Sequence, residues 1–367
     1  MRLGRALVGV LAYSMCVTAC GGTDHPPARD GAGSPASTSA AARFLSRYVT
    51  NDGRVIRHDQ GGDIVSEGQA YGMLIAEVAR RPALVRTIWS WTSAHLRRPD
   101  GLFAARASGD GHVQDPHSAT DADVLIAYAL LRYTGTDQAT LNRVGRRIAE
   151  SVLKYESVTL PGGASLPVAG PWAKSQPAPT VDPSYLMPGI FAALARFTGE
   201  QDWNRAAGEA INLIGELTDN GATLPPDWAQ LSNGHLVPIG EPGGRAGVQY
   251  GLDAARLPIW FATACDPPAR HLAANWWHNV LGSDNRSLPL ALSLNGASIN
   301  PDGSPLTILA GAGAAGAAGD RRAAGELRIE AEAFAVRFPT YYGNAWAALG
   351  PAFLDHAIDP CAEAANG

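Results

Sequence analysis

The connections between apolar blocks constrain this chain more than the blocks themselves do. Apolar residues recur at helical spacing in twelve segments, near 39–49, 66–80, 83–97, 121–133, 138–155, 184–198, 202–219, 251–264, 268–281, 304–318, 320–337 and 341–356. Five connections are short (81–82, 134–137, 199–201, 265–267 and 319). They alternate with five long ones rich in Gly, Pro and Asp (50–65, 98–120, 156–183, 220–250 and 282–303). Short turns join antiparallel neighbours, so the helices pair into hairpins, and closing the pairs into a ring puts every long loop on one face. Each long loop precedes an even-numbered helix, so that face also carries those helices' N-termini. Six pairs predict an all-α fold, an (α/α)6 barrel. An open solenoid of helix pairs is the rival arrangement, and no short repeat favours it. No alternating segment long enough to build a sheet is evident.

The 367 residues are 46% apolar and 17% charged, enough to bury a sizeable core. The net charge of −5, without a long Lys/Arg run, argues against nucleic acid as a partner. The histidines form no HExxH pattern. The Gly-rich stretch LAGAGAAGAAGD, 309–320, has no strand before it, so close helix packing explains it better than a nucleotide site. No metal or cofactor is expected, and nothing demands more than a monomer.

Residues 1–20 read as a leader. Arg2 and Arg5 precede the apolar run ALVGVLAYSMCV, which is too short to span a membrane, and VTAC then ends at Cys20. Small residues before a cysteine resemble a lipobox, which makes Cys20 the lipidated first residue of the mature chain; a plain secretory signal is the alternative. Residues 21–38, rich in Gly, Pro, Ser, Ala and Thr, read as a flexible tether, and 39–367 as the folded domain. The expected location is outside the cytoplasmic membrane, lipid-anchored or secreted, with membrane contact only through the anchor. Cys265 and Cys361 either pair there or stand as two free thiols.

Acids recur where even-numbered helices begin: Glu67 in SEGQAYGMLIA, Asp121 and Asp123 in SATDADVLIAYALL, and Asp253 in YGLDAARLPIW. For any one of them, helix capping is a sufficient explanation. The ring, however, brings all three sites to one cleft. Small neighbours (Gly68, Gly72, Ala122, Gly251) leave room for a ligand near the backbone. Carboxylates sharing a cleft suit glycoside hydrolysis, in which one acid donates a proton to the leaving oxygen and another acts on water or carbon. A helix N-terminus pushes Glu67 towards ionisation, so burial and the fields of Asp121 and Asp123 must oppose that push. Sugar rings stack on aromatic side chains, which makes loop residues Trp172 and Trp228 binding candidates. Trp89, Trp91, Trp203, Trp276, Trp277 and Trp346 fall in helical blocks and read as core. His112 and His117 read as surface loop residues.

These motifs resemble glycoside hydrolase family 8, which includes secreted bacterial endoglucanases and the cellulases encoded with cellulose synthases. HLRRPDGLFA, DGHVQDPHSATDAD, DPSYLMP, LPPDW and PTYYGNAWAALG follow in the family's order, over roughly residues 40 to 356. The resemblance implies an (α/α)6 barrel and inverting, metal-free cleavage of a polysaccharide. It implies Glu67 as general acid, Asp253 as general base and Asp121 as the acid gripping the sugar at the cleavage point, with Tyr185 and Asp123 near the substrate. Arg256, one turn after Asp253, either keeps it ionised or pairs with another acid. Inversion predicts roughly 6.5–9.5 Å between the Glu67 and Asp253 carboxyls. The chain departs from the family at Leu125, where a third acid is usual and packing is expected. It departs also at Ala105, where an aromatic platform is common, and at Asp182, where Asn is commoner. The last two put the identity of the polymer in doubt: β-1,4-glucan first, with chitosan, xylan and mixed-linkage glucan as alternatives. A carbohydrate-binding lipoprotein without catalysis is the rival of a different class.

Overall fold

The computed structural model describes residues 35–175, 178–283 and 288–362. It contains the twelve expected helices: α1 (Pro35–Tyr48), α2 (Ser66–Val78), α3 (Pro82–His95), α4 (Thr120–Arg132), α5 (Gln138–Tyr155), α6 (Pro188–Thr198), α7 (Asp202–Leu217), α8 (Leu257–Ala262), α9 (Pro267–Trp276), α10 (Pro305–Ala317), α11 (Arg321–Arg337) and α12 (Tyr341–Leu354). α1 starts inside the expected tether, and the rest of that stretch, with the leader and Cys20, lies outside the described residues. α6 and α8 start later than their apolar pattern suggests. A proline sits in the first turn of each, where its missing N–H costs nothing. Separate 3-10 turns, Pro183–Tyr185 and Ala254–Arg256, precede them.

Burial separates the helices by parity. α4 buries twelve of its thirteen residues and α10 eleven of its thirteen. α5 buries five of its eighteen and α11 four of its seventeen. A helix apolar all round must be enclosed, whereas an amphipathic one covers it with one face. The even helices are therefore the inner ring. α2 packs on α4, α4 on α6, and so on round to α12, which returns to α2. That closure makes the fold an (α/α)6 barrel and rules out the open solenoid. The Gly-rich stretch lies in α10, where Gly313 meets the α8 backbone at Pro258 and Ile259, as close helix packing predicts.

Two expectations need correction. The connection 338–340, between α11 and α12, is short where strict alternation calls for a long one. The long loops also hold strands. β1 (Ile64–Val65), β2 (Arg106–Ala107) and β3 (Val113–Asp115) form one small sheet; β4 (Ser157–Thr159) and β5 (Ser165–Pro167) form a second. β6 (Thr180–Val181), β7 (Trp228–Ser232) and β8 (His235–Ile239) form a third; β9 (Pro289–Leu292) and β10 (Ser298–Gly303) form the last. None exceeds six residues, too few for a period of two to stand out in sequence. The six helical tryptophans expected in the core are buried, and so is Leu125. Cys265 and Cys361 are joined in a disulfide, with Cα atoms 5.3 Å apart, tying the end of α8 to the segment after α12.

Candidate active site

Arg256 lies in the 3-10 turn before α8 and is almost fully enclosed, with 3% of its side chain exposed. Its guanidinium gathers acids from four elements. Nη1 donates to Glu67 Oε1 (2.9 Å) from the first turn of α2 and to Asp121 Oδ2 (2.7 Å) from the first turn of α4. Nη2 donates to Asp253 Oδ1 (3.2 Å) and Asp182 Oδ2 (3.3 Å). The Tyr185 ring lies under the guanidinium carbon, 5.4 Å from its centroid. Arg256 thus bonds Asp253 and three further acids.

One cation among four carboxylates leaves surplus negative charge in a poorly hydrated place, so protons are retained there. Burial, then the Asp121 charge, push the Glu67 carboxyl up to about 7 against the pull of Arg256 and the Tyr71 hydroxyl. Tyr71, one turn along α2, donates to Glu67 Oε1 at 2.6 Å. Asp253 is pushed up to about 6, by burial first, with Arg256 opposing and Asp227 adding to the push. Its side chain is 40% exposed, against 4% for Asp121, so Asp253 is the acid with the most open approach for water. Asp182, at 1%, is held well above the usual carboxylate range by burial and by the Asp253 charge.

Asp253 does not sit in the first turn of α8, as the apolar pattern suggests, but immediately before the 3-10 turn. Asp227, from LPPDW, fixes that corner. Its Oδ1 accepts from the N–H groups of Gly251 (2.8 Å) and Ala254 (2.9 Å), which flank Asp253. In the sequence LPPDW gives Asp227 no role of its own; an acid directly before an aromatic in a Pro-rich loop is the only signal it carries.

The cleft continues through two cavities. One, of about 440 Å³, includes Asp227, Trp228, Glu241 and Asp253 in its wall. The other, of about 370 Å³, includes Ala105, Asp115, His117, Trp172 and Tyr185. Trp228 thus lines space at Asp253, and Trp172 lines space at Tyr185. His117 is an exposed loop residue paired with Asp115 at 2.8 Å, yet it too lines the second cavity. A larger cavity of about 480 Å³, between α7 and α9, is lined by none of these acids.

The sequence profile of glycosyl hydrolases family 8 matches residues 32–274. The chain belongs to that family. It is 31% identical over 245 residues to an endoglucanase of Cellulomonas uda, covering 64% of this chain and 66% of the relative. It is 30% identical over 240 residues to a probable endoglucanase of Novacetimonas hansenii, covering 60% and 65%. These matches span a little less than two thirds of each relative's length. The crystal structure of an endoglucanase from Komagataeibacter sucrofermentans superposes with a TM-score of 0.69 at 25% identity, covering 88% of this chain and 99% of that one.

Within the family 8 site, two expectations fail. Asp123 does not join the cleft acids. It is fully buried, accepts from Phe103 N–H (3.0 Å), and faces Glu156 rather than Arg256. Residues two apart on a helix point to different faces, so Asp121 and Asp123 cannot both look into the cleft. Nor do the glycines clear space for a ligand. Gly68 admits the Tyr341 hydroxyl, Gly72 a Val55 methyl and Gly251 the Asp227 carboxylate, and a Cβ at any of the three would collide with that group.

Proposed function

We propose that this chain is an inverting, endo-acting glycoside hydrolase that cleaves a β-1,4-linked glucan outside the cytoplasmic membrane. The observation that carries the reading is one buried guanidinium touching both an acid raised to about 7 and a water-accessible acid raised to about 6. Between those values Glu67 holds a proton while Asp253 is ionised. Glu67 donates that proton to the glycosidic oxygen as the bond to the anomeric carbon breaks. Asp253 takes a proton from the water that attacks the opposite face. Asp121, its other oxygen capped by the Ala122 N–H (2.8 Å), grips the sugar between them. Arg256 bonds Glu67 through Nη1 and Asp253 through Nη2, and its charge opposes the upward push on Asp253. Cavities that continue from Asp253 and from Tyr185 suit a polymer lying through the cleft rather than a chain end in a dead-end pocket.

A cationic polymer such as chitosan is the second reading. Asp115, Asp227 and Glu241 add negative charge to the cavity walls, and Asp182 adds an acid where the family more often has Asn. Reducing-end release from carboxymethylcellulose, chitosan, xylan and mixed-linkage glucan decides among them, with Glu67→Gln as control. Release from carboxymethylcellulose that vanishes in E67Q supports the first reading. Release from chitosan alone selects the second, and binding without turnover by a folded protein rejects both. The tether is read as anchored through Cys20; loss of membrane retention in Cys20→Ala is the expected result, and unchanged retention counts against it.

A further inference from the structure

A second group of buried carboxyls begins two residues from Asp121 and has no part in the scheme above. Asp123 and Glu156 are both fully buried. Phe103 N–H donates to Asp123 Oδ1 (3.0 Å), and Ser118 Oγ donates to Glu156 Oε1 (2.7 Å). The remaining oxygens, Asp123 Oδ2 and Glu156 Oε2, receive no donor. The two carboxyls nevertheless stand in hydrogen-bonding contact with each other. Two ionised carboxylates cannot make such a contact, because each is an acceptor only and their charges repel strongly out of water. Arg98, whose field reaches both acids, is engaged by Asp100 (2.7 Å) and by the Pro116 carbonyl. Asp100 and Asp121 add further negative field around the pair. One proton held between the two carboxyls supplies a donor that neither otherwise has from a side chain or backbone on its orphaned oxygen. In the same direction, burial and the Glu156 charge hold Asp123 well above the usual range, and burial pushes Glu156 up to about 8.

The pair grips both ends of one loop. Phe103 lies two residues before Ala105 and Ser118 directly after His117; Ala105 N–H donates to the His117 carbonyl (2.6 Å), and its carbonyl accepts from N–H of Ser66 (3.0 Å), the residue before Glu67. A continuous path therefore runs from Asp123, two residues past Asp121, through Phe103 and Ala105 to the turn that carries Glu67. We propose that Asp123 and Glu156 share one proton, and that this acid–carboxylate pair is a positioning unit holding the acid-bearing turns of α2 and α4 in register across loop 98–120.

Asp123→Asn tests the proton. Its oxygen still accepts from Phe103 N–H, and its NH2 donates to Glu156 in place of the shared proton. Acids with raised values in the fold contribute stability that is full below their unfolded values, about 4, and is lost as pH rises through their folded ones. Wild-type Tm therefore falls across pH 5–8, and D123N, which releases one proton fewer on unfolding, falls less steeply. The double variant D123N/E156Q sets donor against donor and lowers Tm throughout. Equal slopes for wild type and D123N overturn the shared proton, whatever the activity. The positioning claim rests on the roles proposed for Glu67 and Asp121, and D123N and D123L separate it from mere stability. D123N keeps kcat within about threefold, whereas folded D123L loses at least tenfold in kcat with little change in KM. Wild-type kcat in folded D123L overturns positioning. Should D123L not fold, Ser118→Ala strips only the donor to Glu156; a several-fold fall in kcat is expected, and an unchanged kcat overturns the claim.

Discussion

The first turn of α4 carries two aspartates that meet opposite fates. Asp121 looks inward to Arg256, in a cluster open to water through Asp253. Asp123, two residues on, is fully buried and looks to Glu156, with its Oδ2 lacking a donor. Where a guanidinium lies among several acids, its charge opposes their protonation without removing it, and protons can be held on some of them. Where only another carboxyl is available, a proton must be kept, and the pair becomes part of the scaffold. Residue type and sequence position are nearly the same; the partner differs.

The largest expected effect sharpens that contrast directly. Glu67→Gln and Asp253→Asn each lower kcat by about 10³ or more, since general acid–base catalysis contributes roughly 10²–10⁴ and the two act as a unit. D123N, an equally conservative change, stays within about threefold. Comparable losses in all three would erase the distinction between cluster and pair. Steady-state rates on a soluble glucan, with circular dichroism to confirm folding, measure both.

The pH profile comes next. In the proposed scheme activity needs Asp253 ionised, hence pH above about 6, and Glu67 protonated, hence pH below about 7. The log of kcat/KM then falls one unit per pH unit on either side of a narrow optimum, with limbs that belong to the coupled pair. A flat profile from pH 5 to 9 would detach those two acids from the rate.

How much of this was legible in the sequence depended on the range of the contacts. The ring followed from loop lengths, and the convergence of Glu67, Asp121 and Asp253 followed from the ring. Asp123 was misplaced although helix geometry already separated it from Asp121. Glu156 gave no local signal, because it lies just past α5 and meets its partners only through the fold. The glycines looked like space for a ligand because Tyr341, which fills the notch at Gly68, lies 273 positions further along the chain. Nothing in sequence could say that Cys265 and Cys361 come together across a separation of 96 residues.

Two smaller effects probe the scaffold and the cleft separately. Replacing both cysteines by serine costs about 2–4 kcal/mol in unfolding free energy, read by denaturant titration, while leaving kcat of the folded enzyme unchanged. A loss of kcat there would show that the scaffold far from the acids is less separable from the site than the comparison implies. Trp172→Ala, which removes a ring 40% exposed on the second cavity, raises KM several-fold with a modest change in kcat, as expected for the loss of one stacking contact. An unchanged KM would take Trp172 out of the substrate path.

The most direct test of the central claim is the configuration of the first-formed product, followed by proton NMR as a soluble β-1,4-linked oligosaccharide is cleaved. If Asp253 activates water while Glu67 donates its proton, the new reducing end appears first as the α-anomer and only later mutarotates. A β-anomer appearing first would mean that a carboxylate attacks the sugar itself, and the assignment of Asp253 as a base would be wrong.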